Sequence, residues 1–273
     1  MIINDIVIIG AGNVATNMAA AFRNSGKNIR CVFSRNAEKA RSLASLVDAP
    51  YTNKIAQLPR KADLFLIAVK DNAIDEVADQ LSDVSGIVVH TSGSVGISVF
   101  ENKLQDYGIL YPLMHLSKEI LMDFEQIPLC IEANTPLNYD ALYEFACAIS
   151  HSVYPVTSAE RKILHLSAVF ASNFTNLNYI ISEDILKKNN LSFNMLRPII
   201  VETATKILRN SPSELQTGPA VREDQQVLGE HENMLNDFPQ YQKIYTLLSE
   251  LIIQKKKNNE LQRDTEGHQH DDL

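Results

Sequence analysis

Ile6-Val-Ile-Ile-Gly10-Ala-Gly12-Asn-Val-Ala15 joins an apolar strand, a tight glycine turn and the start of a small-residue helix. Gly10 lets the backbone turn sharply where the strand ends, and Gly12 leaves room for a ligand to approach the main chain. Asn13, Val14 and their successors then open a helix whose free N–H groups face outward, a ready site for a diphosphate. The pattern predicts a dinucleotide-binding βαβ unit. Ala15 stands where the full fingerprint has a third glycine, which is tolerated because only close helix-to-strand packing is needed there. The helix ends at Gly26, and a second apolar strand, Ile29 to Phe33, follows.

The end of that second strand selects between the two pyridine dinucleotides. NAD-binding units usually carry a carboxylate about 20 residues past the fingerprint to hold the ribose hydroxyls. This chain reads Cys31-Val-Phe-Ser34-Arg35-Asn36, with no acidic residue before Glu38. A hydroxyl and a guanidinium offer charge-assisted hydrogen bonds to a 2′-phosphate, which a carboxylate would repel. NADP(H) is therefore the expected cofactor, with Ser34 and Arg35 at its phosphate.

Composition narrows the class further. The 273 residues suffice for two domains, and 45% hydrophobic content fits a globular protein. A formal net charge of −8 argues against nucleic acid or an anionic membrane as a general partner. Cys31, Cys130 and Cys147 are widely spaced and without a C-x-x-C pair, so neither a disulfide framework nor a metal site is expected. A reducing cytoplasm is the expected location. No apolar run has the length of a membrane span, and the first strand begins too early to leave room for a signal peptide.

Helical spacing over Ala37 to Val47 and a nearly continuous apolar strand, Asp63 to Val69, complete a βαβαβ winding. Ala68, Val69 and Lys70 close that strand at the carboxyl edge of the sheet, where ligands lie in open α/β folds. The strand Gly86 to His90 ends likewise in Thr91-Ser92-Gly93-Ser94, expected near the nicotinamide or the substrate. Apolar runs at Ile109 to Leu113, Ile127 to Ile131 and Ser152 to Val156 extend the sheet, with a helix at Tyr139 to Ile149. The fold class is thus an α/β Rossmann domain with a mostly parallel, doubly wound sheet, followed by an all-α C-terminal domain. Residues 1–156 form the NADP-binding domain and residues 157–254 a helical substrate and dimerisation domain. Residues 255–273 read as a disordered polar tail, in which His268 and His270 are solvated rather than metal-binding.

The helical part opens on a long rod, Ala159 to Lys187, apolar around most of its circumference and so expected to be buried on several sides. His165, Ser172, Asn173 and Asn176 fall on one face of a regular α-helix and form a polar stripe along it. Ser192 caps a second helix, Phe193 to Asn210, with Pro198 as an expected kink. The loop Gln216-Thr217-Gly218-Pro219-Ala-Val-Arg222 reads as a site or as a turn ahead of the helix Glu223 to Leu235. A last helix spans Gln240 to Ile253.

With these residues in place the chain resembles the bacterial Rossmann-like oxidoreductases that carry an uncharacterised helical C-terminal domain. These are relatives of pyrroline-5-carboxylate reductase and of the NADP-dependent F420 oxidoreductases. Gly10-Ala-Gly12-Asn-Val, Ser34-Arg35, His90-Thr-Ser-Gly-Ser94, Tyr111-Pro-Leu113, Leu164-His165, Ala168 to Phe174, and Gln216 to Arg222 with Asp224 and His231 carry the likeness. The resemblance implies an NADP-binding domain, a helical domain for dimerisation and substrate, and a reductase activity. Related β-hydroxyacid dehydrogenases place a Lys and an Asn four apart on the interdomain helix, whereas here Val169 precedes Asn173 by four.

Another acid is then required, and histidine is the side-chain type whose unperturbed pKa suits neutral pH, which points to His165. In a regular helix it lies about 12 Å along the axis from Asn173, so both reach one ligand only if that ligand is elongated. The catalytic candidates are His165 and Asn173. Thr217 and Arg222 are the candidate substrate anchors, Arg222 for a carboxylate. The expected function is NADPH-dependent reduction of a small carbonyl or imine compound at the interdomain cleft of a homodimer. A non-catalytic NADPH-binding sensor or scaffold is the alternative.

Overall fold

The computed structural model describes residues 2 to 267. They divide into two compact units, the first ending at Thr175 and the second beginning at Asn176.

The first unit is built on one eight-stranded sheet. Its strands are β1 (Asp5–Ile9), β2 (Asn28–Phe33), β3 (Tyr51–Thr52), β4 (Lys61–Ile67), β5 (Ser85–His90), β6 (Tyr107–Pro112), β7 (Leu129–Ala133) and β8 (Val153–Pro155). In space they run β3-β2-β1-β4-β5-β6-β7-β8. Every pair of neighbours is parallel except β6 and β7. The chain winds outward from β1 through β2 to β3, then returns to β4 on the other side. The winding direction therefore reverses between β1 and β4, which opens a crevice at their carboxyl ends.

Helices α1 (Asn13–Asn24), α2 (Ala37–Val47), α3 (Ile74–Asp79) and α4 (Pro136–Cys147) cover the sheet. Side chains of β1 alternate between two cores: Ile6 and Ile8 meet Met18 and Phe22 of α1, Leu43 of α2 and Phe145 of α4 in one, while Val7 and Ile9 join Ile74 and Val77 of α3 in the other. Burial on both faces explains why these strands read as unbroken apolar runs. The expected mostly parallel, doubly wound sheet is the observed one. The two-residue strand β3 left no trace in the sequence pattern, being too short for a period-two signal.

Helix α5 (Ser158–Ala168) follows the sheet, and its start carries a capping box between Thr157 and Glu160. A π-helical stretch, Val169–Phe174, links it to α6 (Thr175–Lys188). The long rod is continuous, as the spacing suggested, but the π turn inserts one residue into it. A polar stripe of constant α-helical period therefore does not hold across the insertion. Nor is the rod buried all round: Ile163, Leu166 and Phe170 are each at least 60% exposed.

The second unit continues with α7 (Arg197–Lys206), α8 (Gln225–Met234) and α9 (Pro239–Gly267). Ser192 caps a short 3₁₀ turn, Phe193–Leu196, and α7 starts after it. Pro198 sits in the first turn of α7 instead of kinking a longer helix, because its missing N–H costs nothing there. Asp224 caps α8 by accepting from the Val227 N–H at 3.2 Å, with Glu223 in the left-handed region just before it. The helix α9 does not stop near Ile253 but runs on to Gly267. Lys255 to Arg263 holds Lys, Glu, Leu, Gln and Arg with neither glycine nor proline, so its local propensity is helical even though it is polar all round. His268 and His270 lie outside the described residues.

Candidate active site

The crevice between β1 and β4 is a cavity of about 770 Å³. It lies wholly within the first unit. Gly10 ends β1 with φ of +128°, its N–H donating to the Phe33 carbonyl at 2.8 Å. A Cβ at Gly10 would overlap the Ala68 carbonyl oxygen, and the backbone angle is one that other residues rarely adopt. At Gly12 the opposite holds, since nothing lies within 4 Å of where a Cβ would stand. Gly12 begins α1, and no side chain caps the helix there. The main chain at this corner is open to an incoming anion, which is what a diphosphate needs.

The cavity extends from this corner in two directions. Toward β2 it is lined by Ser34, Arg35 and Lys39. Asn36 caps α2 by accepting from the Lys39 N–H at 3.0 Å, and this bond holds Ser34 and Arg35 in the turn at the end of β2. Arg35 and Lys39 are exposed, and the carboxylates that line the cavity, Asp71 and Glu76, belong to the segments after β4 and not to the end of β2. A dinucleotide carrying an extra phosphate on its ribose fits this donor set, and the cradle at Gly12 fits its diphosphate.

Toward β5 and β6 the lining comprises Ala68, Val69, Lys70, Asp71, Thr91, Ser92, Gly93, Tyr111, Pro112, Met114 and His165. Each belongs to the carboxyl end of a strand or the residues just beyond, apart from His165 on α5. Tyr111 and His165 are joined, the phenol oxygen lying 3.2 Å from the imidazole Nδ1 with the rings edge to face. Gly93 makes this pair possible, since a Cβ there would stand 2.6 Å from the His165 Nδ1. The Ser94 hydroxyl donates to the Asp71 carboxylate, tying the ends of β4 and β5 together across the crevice.

A second histidine, His90, lies under the same loop and is fully buried. Its Nδ1 accepts from the Ser92 N–H at 3.1 Å, while Nε2 has no hydrogen-bond partner among the described residues. Burial above all, then the Arg161 charge, pushes its pKa down to about 4, against smaller opposing effects of the Gly96 backbone and Asp71. His90 is neutral at physiological pH and acts as a fixed acceptor for the loop. Burial also raises the Tyr111 phenol above its ordinary value, so the phenol keeps its proton at neutral pH.

Gly10, Gly12, Asn13, Val14, Ser34, Arg35, Ala68, Val69, Lys70, Thr91, Ser92 and His165 thus line one cavity. Asn173, in the π-helical stretch, is exposed and does not line it. Thr217 and Arg222 belong to the second unit, where both are exposed, and the Arg222 guanidinium has no ion pair among the described residues. Sequence reasoning passed over Tyr111 as a site residue. Its position at the carboxyl end of a sheet strand was the available signal, the same one that identified Lys70 and Thr91.

Residues 5–92 match the family described as NADP oxidoreductase coenzyme F420-dependent. Residues 127–252 match a domain of unknown function, DUF2520. No curated protein matches the chain. Among solved structures, a protein of Bacteroides fragilis assigned as an NADP oxidoreductase is 41% identical, with a TM-score of 0.88 over 92% of this chain and 98% of the other. The chain belongs to this family of NADP oxidoreductases.

Two more distant structures share the fold of this NADP oxidoreductase. An imine reductase of Myxococcus stipitatus in complex with NADP+ is 14% identical, with a TM-score of 0.65 over 93% of this chain and 94% of that one. A pyrroline-5-carboxylate reductase of Coxiella burnetii is 16% identical, with a TM-score of 0.58 over 91% and 98%. The oxidoreductase is NADP-dependent, as the residues at the end of β2 led one to expect. Among the described residues no helix is long and apolar enough to cross a membrane.

Proposed function

We propose that this oxidoreductase reduces the C=O or C=N bond of a small compound, with the proton held at the Tyr111–His165 pair. The observation that carries the reading is one continuous cavity with phosphate donors at one end and a hydrogen-bonded phenol–imidazole pair at the other. When bound, reduced NADP would supply a hydride for the substrate carbon. The main chain at Gly10 to Val14 holds the diphosphate, and Ser34 with Arg35 holds the 2′-phosphate. Ala68 to Lys70, Thr91 and Ser92 line the wall where the nicotinamide belongs.

Tyr111 keeps its proton at neutral pH and can donate it to the developing alkoxide or amide nitrogen, while His165 accepts from Tyr111 or resupplies it. Apolar Val69, Pro112 and Met114 limit water at that end. In this reading Asn173, Thr217 and Arg222 anchor the substrate, with Arg222 facing a carboxylate, and residues 157–254 serve substrate binding and dimerisation. An imine reductase and a pyrroline-5-carboxylate reductase on the same fold support C=N as one of the two candidate bonds. The proposal includes a cytoplasmic homodimer. Three free cysteines support the location and exposed apolar helices support the assembly.

The test is to incubate the protein with NADPH and a panel of keto acids, imino acids and aldehydes while following the absorbance of the reduced nicotinamide. Turnover of a member of the panel is expected, and Tyr111→Phe should lower kcat by about 10²-fold with NADPH affinity unchanged. Tight NADPH binding without turnover of any compound would overturn it. Arg35→Ala should weaken NADPH binding about tenfold and leave NADH binding unchanged.

A further inference from the structure

Arg161 is the largest fully buried side chain of the first unit. It lies in the first turn of α5 and does not line the cavity. Its guanidinium reaches three separate segments. Nε donates to the Ser92 carbonyl at 3.1 Å, and Nη2 donates to the Val95 carbonyl at 2.5 Å and to the Ser158 hydroxyl at 3.2 Å. Nη1 donates to Glu132 Oε2 on β7 at 2.8 Å. The same Oε2 accepts from the Ser158 hydroxyl at 2.6 Å, and that hydroxyl in turn accepts from the Ile97 N–H at 2.9 Å.

A buried ion pair is a weak source of stability, because removing two charges from water offsets most of their attraction. What a buried guanidinium supplies is geometry: a rigid planar fork can hold diverging carbonyls at fixed angles, as a lysine ammonium cannot. The segment it grips is the loop after β5. Thr91, Ser92 and Gly93 of that loop form the cavity wall, and His165, one helical turn beyond Arg161, rests on Gly93. Arg161 therefore ties the loop from behind to the helix that carries His165, while Glu132 fixes both to the strand beside Tyr111.

We infer that Arg161, braced by Glu132, is a positioning residue that sets the contact between His165 and Tyr111 by locking the Ser92–Val95 loop to α5. The inference rests on the proposed role of the Tyr111–His165 pair, yet it can be tested without turnover. In full-length protein with histidine nitrogens labelled, the Nδ1 resonance of His165 reports its bond to Tyr111. Tyr111→Phe is expected to shift that resonance in otherwise native protein. In an Arg161→Lys background the same substitution should no longer shift it, because the pair has already come apart.

Glu132→Gln removes the counter-charge at constant volume and should give the same loss, which keeps the test available where Arg161→Lys does not fold. An undiminished Tyr111-dependent shift in either variant, accompanied only by a lower Tm, would make Arg161 a purely structural residue and overturn the inference. Absence of turnover with the coupling lost as expected would instead count against the reductase reading and leave the positioning role standing.

Discussion

The two units solve the burial of apolar side chains in different ways. In the first, the central strands of the sheet have both faces covered, and Ile6, Phe65, Leu66 and Ile67 are wholly excluded from solvent. In the second, only Ala220, Leu228 and Leu235 are buried among the described residues, while Leu208, Val201, Ile199 and Leu247 remain between 57% and 80% exposed. A doubly wound sheet is self-sufficient because its own crossover helices close over it. A set of helices with apolar side chains on several faces is not, and its exposed surface is of the kind that associates.

Damage should read out as unfolding in one unit and as altered association in the other. The largest effect is expected from Phe65→Ala in the sheet core, which should lower unfolding free energy by about 3–5 kcal/mol in denaturant titrations. A loss below about 1 kcal/mol would show that the core of the first unit is not close-packed.

Next comes acid. His90 is held neutral with a pKa of about 4 against an ordinary value near 6.5, so between those values the unfolded chain takes up a proton that the folded chain refuses. Stability should therefore fall as pH drops through that window, by about 3 kcal/mol in all. Denaturation curves of His90→Asn should lose that part of the pH dependence, whereas an identical dependence in the variant would place the titration elsewhere.

A smaller effect on free energy is expected from Ile199→Glu combined with Val201→Glu on α7. Sedimentation should show at least a tenfold weaker self-association, about 1.4 kcal/mol, with unchanged helical circular dichroism. Loss of helicity instead would mean that these side chains pack within their own unit. The smallest is Lys187→Ala, which removes an exposed pair with Glu183 one helical turn away and should cost less than about 0.5 kcal/mol of stability.

The site was legible where it depends on consecutive residues. The Gly10–Val14 turn, the Ser34–Arg35 pair and the strand ends at Lys70 and Thr91 each carry their chemistry in a few adjoining positions, and strand ends of a parallel sheet converge on one edge. The pairing of Tyr111 with His165 carries no such local sign. The two are 54 residues apart and meet because β6 and α5 end beside one loop whose middle residue, Gly93, lacks a side chain. The π turn at Val169–Phe174 was invisible for another reason. Its sequence is as apolar and as helical as its flanks, so nothing in it breaks the α-helical period.

From its residues alone this protein is a dinucleotide-binding α/β domain followed by helices, with NADP as the expected cofactor. Hydrophobic periodicity, turn chemistry and the charge at one strand end are all short-range properties of the chain. Tertiary structure decided which distant polar groups share a cavity, and it set His90 apart from His165 by burying one and leaving the other accessible. Burial and long-range contact depend on how the elements pack, which no window of sequence contains.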